Sequence, residues 1–388
     1  MSEINISKNA VNLSLLSDLK ARAAKQFAKL EMPRFKYGLT VKLDLKDFNF
    51  KKLNIKTSEQ KIVCPKGIQI LNFEEAFERF PLILEELSNK LNSELNKFTA
   101  FHIANFTKTT VIIIPANYSF EQPFELETVF EDSSVENLFI IAEENSSATI
   151  IDKTSDKNSN SASLNSRFVE IFAADNSKIN FLGLQDCSEK TVIFQKKHAV
   201  TENNSAVNWL DCNIGGATCI SETTTNLKGA HSSTNNNNIF FGRKKQQFDI
   251  NLKSIHEGEY TSSDMLTKGV LDDEAKAIYR GVLKIHTSAN NASGYQKEDV
   301  TLLSNKAEAD SIPELRINNN DVRKCTHGAS VGQVDAGKLF YLMSRGFTKT
   351  NATKKLIEGF FASIFKKHGT EKFNETLQNL IEIKLETK

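Results

Sequence analysis

Apolar residues recur at helical spacing from early in the chain. Leu15, Leu16, Leu19, Ala23, Phe27 and Leu30 fall on one face of a helix over 13–30. A second helical stretch is predicted over 73–98, where Pro81 divides it into two shorter helices. Between them VKLDLKDFNF (41–50) alternates apolar and polar positions as an edge strand does. These patterns predict an N-terminal helical and mixed domain over 1–98.

The texture changes near residue 109. Short β-branched and aromatic runs follow one another: VIII (111–114), LFII (138–141), TII (149–151), FVEIF (168–172) and INFLGL (179–184). Asn, Ser and Gly separate them, as turn residues separate strands. No proline occurs between Pro123 and Pro313, which suits a continuous sheet whose corners use Gly, Asn and Asp. Three segments also align position by position: Asn145–Asp152, Asn176–Gly183 and Asn204–Asp211, spaced by 31 and 28 residues. A period in this range marks a solenoid, in which each coil buries its apolar face on the next. On pattern alone a β-sandwich competes with it. The predicted β-core spans 99–330, and NNNN (235–238) reads as one of its polar corners.

The remainder, 331–388, is helical. Asp335 is placed as an N-cap, Leu339, Phe340, Leu342 and Met343 form an apolar face, and Gly346 is a natural stop. A second stripe, with Leu356, Ile357, Phe360, Phe361, Ile364 and Phe365, either packs on the body of the protein or docks a partner. Phe373, Leu377, Leu380 and Ile381 continue the pattern into a tail expected to be more loosely held.

Composition narrows the function. The chain has 388 residues, with 49 Lys plus Arg against 48 Asp plus Glu. That balance offers no basic surface for nucleic acid. Mean hydropathy of -0.36 and short apolar runs argue against membrane spans. No signal-peptide pattern opens the chain, so a cytoplasmic location is expected. The five cysteines are odd in number, widely spaced and without a C-x-x-C, which argues for reduced thiols and against a disulfide framework or a preformed metal knuckle.

Two motifs invite chemistry. Gly328–Gly332 is a formal G-x-S-x-G around Ser330, but only His368 follows it and helix–strand alternation is missing upstream, so a serine hydrolase is set aside. Its glycines are expected to turn the chain off the last strand. Cys325 and His327 lie two apart on a predicted strand, where thiol and imidazole share one face. That pair suits a soft metal. Two ligands do not close a site, and a buried Cys beside a corner His is the structural alternative. His256, His286, Asp264 and Glu259 could supplement a site, though their spacing does not require it.

The stretch SIPELRINNNDVRKCTHGASVGQVDAGKLFYLMSRGF (311–347) resembles the signature of the SufB/SufD family of iron–sulfur cluster assembly scaffolds, and within it the SufD members. GRKKQQFD (242–249), His256, YRGVLKIH (279–286) and SGYQKEDVTLLSNKAEAD (293–310) support the resemblance, which covers residues 98–347 and weakens N-terminally. The family implies a right-handed parallel β-helix between an N-terminal helical domain and a short C-terminal one. It also implies a non-enzymatic scaffold that pairs with a SufB-like subunit and docks a SufC-like ATPase of the ABC type.

By the same resemblance, His327 faces a nascent iron–sulfur cluster shared with the SufB-like subunit, with Cys325 a weaker contributor. Leu339, Phe340, Tyr341, Arg345, Phe360 and Phe361 fall in the ATPase-docking helices. SufB-type chains carry a Cys near 289–295 and a Glu after the histidine. Here ANNASGY (289–295) has no Cys and Gly328 follows His327, so no cluster is expected to bind stably to this chain alone. Whether FADH2 joins the assembly stays open. The rival readings are a homo-oligomeric solenoid acting without a cluster, for which self-association as a homodimer is expected, and a pectin-degrading β-helix, which would need clustered carboxylates and secretion.

Overall fold

A computed structural model gives the fold; it describes residues 3–386 apart from 33–40, 42, 44, 46–47, 73–74, 76–78, 81–88, 90–95, 121, 158–161 and 369. The β-rich part winds into a parallel solenoid. Consecutive strands alternate between two faces, and each pairs in parallel with the strands one coil away, from Lys108–Ile114 to Val322–Gln333. Among the described residues, each face is a nine-stranded sheet. Pro313 lies in Glu308–Ile317, the edge strand of its sheet, where a missing N–H breaks no interior ladder.

The corners explain the repeat. Asn117, Asn145, Asn176 and Asn204 hold left-handed φ values of 60°, 56°, 59° and 55°, a conformation Asn tolerates better than most residues. Their amides stack, Asn145 Nδ2 donating to Asn117 Oδ1 and Asn176 Nδ2 to Asn145 Oδ1, each at 3.1 Å. The aligned segments are therefore successive coils: Ser147 pairs with Lys178 and Lys178 with Ala206. The run 235–238 does not form a corner. It lies inside the strand Ser233–Gly242, where Asn235 Nδ2 extends an amide row to Asn208 Oδ1 (2.8 Å) and Asn236 and Asn238 are buried.

Stacked aromatic and aliphatic side chains fill the interior, with Phe139, Phe168 and Phe194 in one cluster and Phe181 against Trp209 (centroids 5.4 Å apart) in another. Charge also enters the core. Arg167 Nη2 donates to Asp152 Oδ1 at 2.8 Å and Lys197 Nζ to Asp211 Oδ1, all four side chains being buried. Gly183 makes room for the second pair, since a Cβ there would lie 2.8 Å from Asp211 Oδ1.

The solenoid's N-terminal end is covered. Helix α1 (Glu3–Lys29) and helix α2 (Lys97–Asn105) set Leu19, Ala23, Phe98 and Phe101, with Phe50, over Val111, Phe139 and Phe168. His102 of α2 is held by Ser166 (2.8 Å) and Asn137 (2.9 Å). Strands Glu59–Val63 and Gln69–Leu71 pair antiparallel with the first coil and close both sheet edges there. The helices expected over 73–98 lie largely outside the described residues, and Lys97 begins α2. Of the edge strand expected over 41–50, residues 42, 44, 46 and 47 lie outside the described residues. Val41, Leu43 and Leu45 are buried in alternation, yet the described residues there join no ladder. Val41 N donates instead to Asp310 Oδ2 (2.7 Å), beside Ile278 and Ile312.

Three helices follow the last strand: α3 (Ala336–Ser344), α4 (Lys349–His368) and α5 (Glu371–Glu386). Ile357, Phe361 and Ile364 of α4 join Phe373, Leu377 and Ile381 of α5 on Leu182, Leu210 and Phe241 of the solenoid. The tail is thus docked and not loosely held. Lys384 Nζ donates to the carbonyls of Phe241 (2.6 Å) and Ile214, while Arg243 Nη1 donates to the Lys384 carbonyl. Burial pushes the Lys384 pKa down to about 7. Among the described residues no helix is long and apolar enough to cross a membrane.

The buried Lys197–Asp211 pair gives a stability prediction. Lys197→Met leaves Asp211 buried without its cation and should cost about 3–5 kcal/mol in urea unfolding. Lys197→Met with Asp211→Leu should recover most of that loss; a double variant no more stable than the single would show that the pair is not the cause.

Candidate functional site

The two ends of the solenoid differ. Opposite the covered end, strands Glu308–Ile317 and Val322–Gln333 are the last of their sheets, and nothing among the described residues stacks beyond them. Their burial falls accordingly: most of Val322–Gln333 is exposed, whereas the preceding strand, Ala292–Leu302, alternates buried and half-buried positions with Tyr295 alone exposed. Ile317 and Val331 are exposed, at 43% and 40%. The terminal coil therefore presents an interior surface that an ordinary coil would hide.

Cys325 and His327 belong to this surface. Their partners on the preceding strand are Gly294 and Gln296, both buried, so the register sets Cys325 and His327 on the inward side together. His327 is exposed, and no further coil among the described residues covers it. Cys325 is half-buried beside Ala292, and burial pushes its thiol pKa up, away from thiolate.

Below them lies a polar layer that sequence inspection did not single out. Glu298 is buried and bonds to Ser311 across the core. Burial pushes its pKa up to about 8. Gln296 Nε2 donates to the Gly281 carbonyl at 3.3 Å. The signal lay in QKEDV (296–300), where period two places polar Gln296 and Glu298 on the same face as apolar Val300.

The other expected site residues scatter. His256 is buried, bonded to Thr261 and Ser263 at 2.8 Å each, and burial lowers its pKa to about 4, so it serves the fold. Among the described residues no three Cys, His, Asp or Glu side chains are grouped to hold a metal. Ser330 donates to Asp299 Oδ1 (2.7 Å) from within a strand, and Gly328 and Gly332 also lie inside it rather than turning the chain off its end. No nucleophile elbow exists there.

The α3 helix adjoins the open end. Asp335 Oδ1 accepts from Lys338 N (3.0 Å) and Gly346 takes φ 94°, so both termini form as expected. Phe340 is 72% exposed and Tyr341 56%, with Arg345 stacked on the Tyr341 ring at 5.2 Å. Leu339 is half-buried. A cavity of about 410 Å³ between α4 and the last coils is lined by Val270, Leu303, Val334, Lys338, Leu356 and Phe360. Phe361 requires a correction: it is wholly buried against the solenoid and presents no surface to a partner. Phe360 is half-buried, with Lys268 Nζ 4.6 Å from its ring centroid.

Fold and site together define a class: a parallel β-solenoid with one covered end, one open end and a helical appendage beside the opening. Comparison with known proteins identifies the family. The "SUF system FeS cluster assembly, SufBD core domain" description matches residues 126–360. The "Iron-sulfur cluster assembly protein SufD" of Bacillus subtilis (strain 168) is 31% identical, over 75% of this chain and 67% of that protein. A SufBD family protein of Staphylococcus epidermidis is 26% identical over 98% of this chain and 91% of its own length, and one of Synechocystis sp. 27% identical over 88% and 73%. The chain belongs to the SufB/SufD family of iron–sulfur cluster assembly proteins.

Glu298 sets a pH dependence. Its folded pKa of about 8 lies above the ordinary glutamate value of about 4.3, so the native state holds a proton that the unfolded chain has released between those limits. The contribution of Glu298 to stability should therefore decline as pH rises from 4.5 to 8, so Glu298→Gln should gain in stability relative to wild type over that range. Equal urea midpoints for the two proteins at pH 5, 6.5 and 8 would contradict this assignment.

Proposed function

We propose that this chain is a non-catalytic scaffold subunit of an iron–sulfur cluster assembly complex, joined to a SufB-like subunit through its open solenoid end. The observation that carries this reading is the asymmetry of the ends. The N-terminal coil is capped by helices and antiparallel strands, while the last coil leaves apolar and ligand-bearing inward positions exposed. A second solenoid with a complementary open end is the natural cover for bare parallel edges. Within that junction His327 meets the nascent cluster, and the SufB-like subunit supplies the remaining ligands, since Cys325 and His327 alone do not close a site. A neutral imidazole binds iron through one ring nitrogen.

The α3 helix is the proposed dock for a SufC-like ATPase. Phe340 and Tyr341 supply exposed aromatic area next to Arg345, the residue types that dominate protein interfaces. With Phe361 buried, the docking face shifts from the α4 stripe to α3 and the rim of the neighbouring cavity. ATP-driven motion of two such ATPases would then act on the solenoid pair through α3 and α4.

Two experiments address these assignments. In a complex reconstituted anaerobically with both partners, His327→Ala should lower bound iron and sulfide severalfold while gel filtration shows an intact assembly; wild-type iron content would remove His327 from the site. Phe340→Asp with Tyr341→Asp should weaken ATPase binding about tenfold or more, the scale of a lost aromatic anchor. Undiminished co-elution would place the ATPase elsewhere.

A further inference from the structure

In an in-register parallel stack, each inward side chain has two neighbours on its own sheet, at the same position one coil either way. For Gln296 these are Met265 and His327. Across the core Gln296 Nε2 donates to the Gly281 carbonyl at 3.3 Å, and a Cβ on Gly281 would come within 2.2 Å of that nitrogen. Gly281 therefore exists as glycine where the amide crosses the interior. Gln296 is wholly buried, yet its Oε1 has no hydrogen-bond partner. Buried amide oxygens are rarely left so, and one that is calls for an explanation.

The neighbours limit what can satisfy it. Met265 offers only a buried thioether chain. The Tyr279 hydroxyl reaches the same layer and, like Thr267 Oγ1, is buried without a hydrogen-bond partner, which makes it the competing donor that the test must separate from His327. His327, exposed and directly above Gln296, carries an N–H in either neutral tautomer. We propose that Gln296 is a positioning residue for His327: its Oε1 accepts one ring N–H, which fixes the tautomer and turns the other nitrogen outward to the open end. Histidines that bind metals commonly hold their second nitrogen this way. The inference rests on the role of His327 proposed above, and it adds a reason for a buried amide at that level of the core.

Nitrogen NMR of the full chain labelled in its histidines tests this without any cluster. The His327 signals, assigned by their loss in His327→Ala, should show one dominant neutral tautomer at pH 8 in the wild type. Gln296→Met keeps volume and removes the acceptor, and should raise the minor tautomer about fivefold, the shift expected for one lost hydrogen bond. Gln296→Glu restores an acceptor oxygen and should return the wild-type ratio, whereas Tyr279→Phe should leave it unmoved. Should the Met variant not fold, Gln296→Asn withdraws the oxygen by one methylene and is read in the same way. An unchanged ratio in a folded Met or Asn variant, or a ratio that follows Tyr279 instead, overturns the proposal. If the ratio shifts as expected while His327→Ala leaves cluster yield intact in the reconstituted complex, the positioning stands and the cluster-facing role of His327 falls.

Discussion

A solenoid coil can bury its inward side chains only against the coil before and the coil after. Every other feature of this protein answers to that constraint. In the middle of the stack it is met by identity of register: Trp209 lies on Phe181, and Asn145 and Asn176 each bond to the corner asparagine one coil before. At the first coil it is met by α1, α2 and two antiparallel strands. At the last coil no described residue meets it, and the interior emerges at Cys325, His327 and Val331. The site is where the stacking stops.

The same constraint governs polar groups inside the stack. A charge at an inward position must find its counter-ion within one coil, because nothing else is within reach. Asp152 meets Arg167 and Asp211 meets Lys197 in this way, with Gly183 giving up its side chain to make space. Near the open end the balance changes, and Glu298 takes the protonated form that its burial favours. Polarity in the core thus shifts from paired ions in the middle coils toward neutral donors and acceptors near the last coil.

The C-terminal helices show why an amphipathic stripe alone does not tell a core from an interface. Burying Phe361 within the chain or in a partner requires the same spacing of apolar residues. In the folded chain Ile357, Phe361 and Ile364 lie on the solenoid's outer sheet, and the tail holding Phe373, Leu377 and Ile381 docks beside them. That leaves α3, none of whose residues is buried, as the exposed one.

From sequence alone came everything that depends on near neighbours. Turn chemistry at Asn145, Asn176 and Asn204 disclosed the coil, the absence of proline from 124 to 312 marked the continuous ladder, and the Cys325–His327 spacing set both on one face. The resemblance over 311–347 pointed to the family that the comparisons then established. What local pattern misjudged was decided by contacts far along the chain. The asparagines at 235–238 are strand residues because Asn208 pairs with Asn235, and the N–H of Val41 is taken by Asp310, far along the chain. Gln296 and Glu298 became visible only when the coil register stacked one under His327 and set the other opposite Ser311. Which residues meet across a core is fixed by how the coils stack, and no stretch of sequence shorter than two coils carries that information.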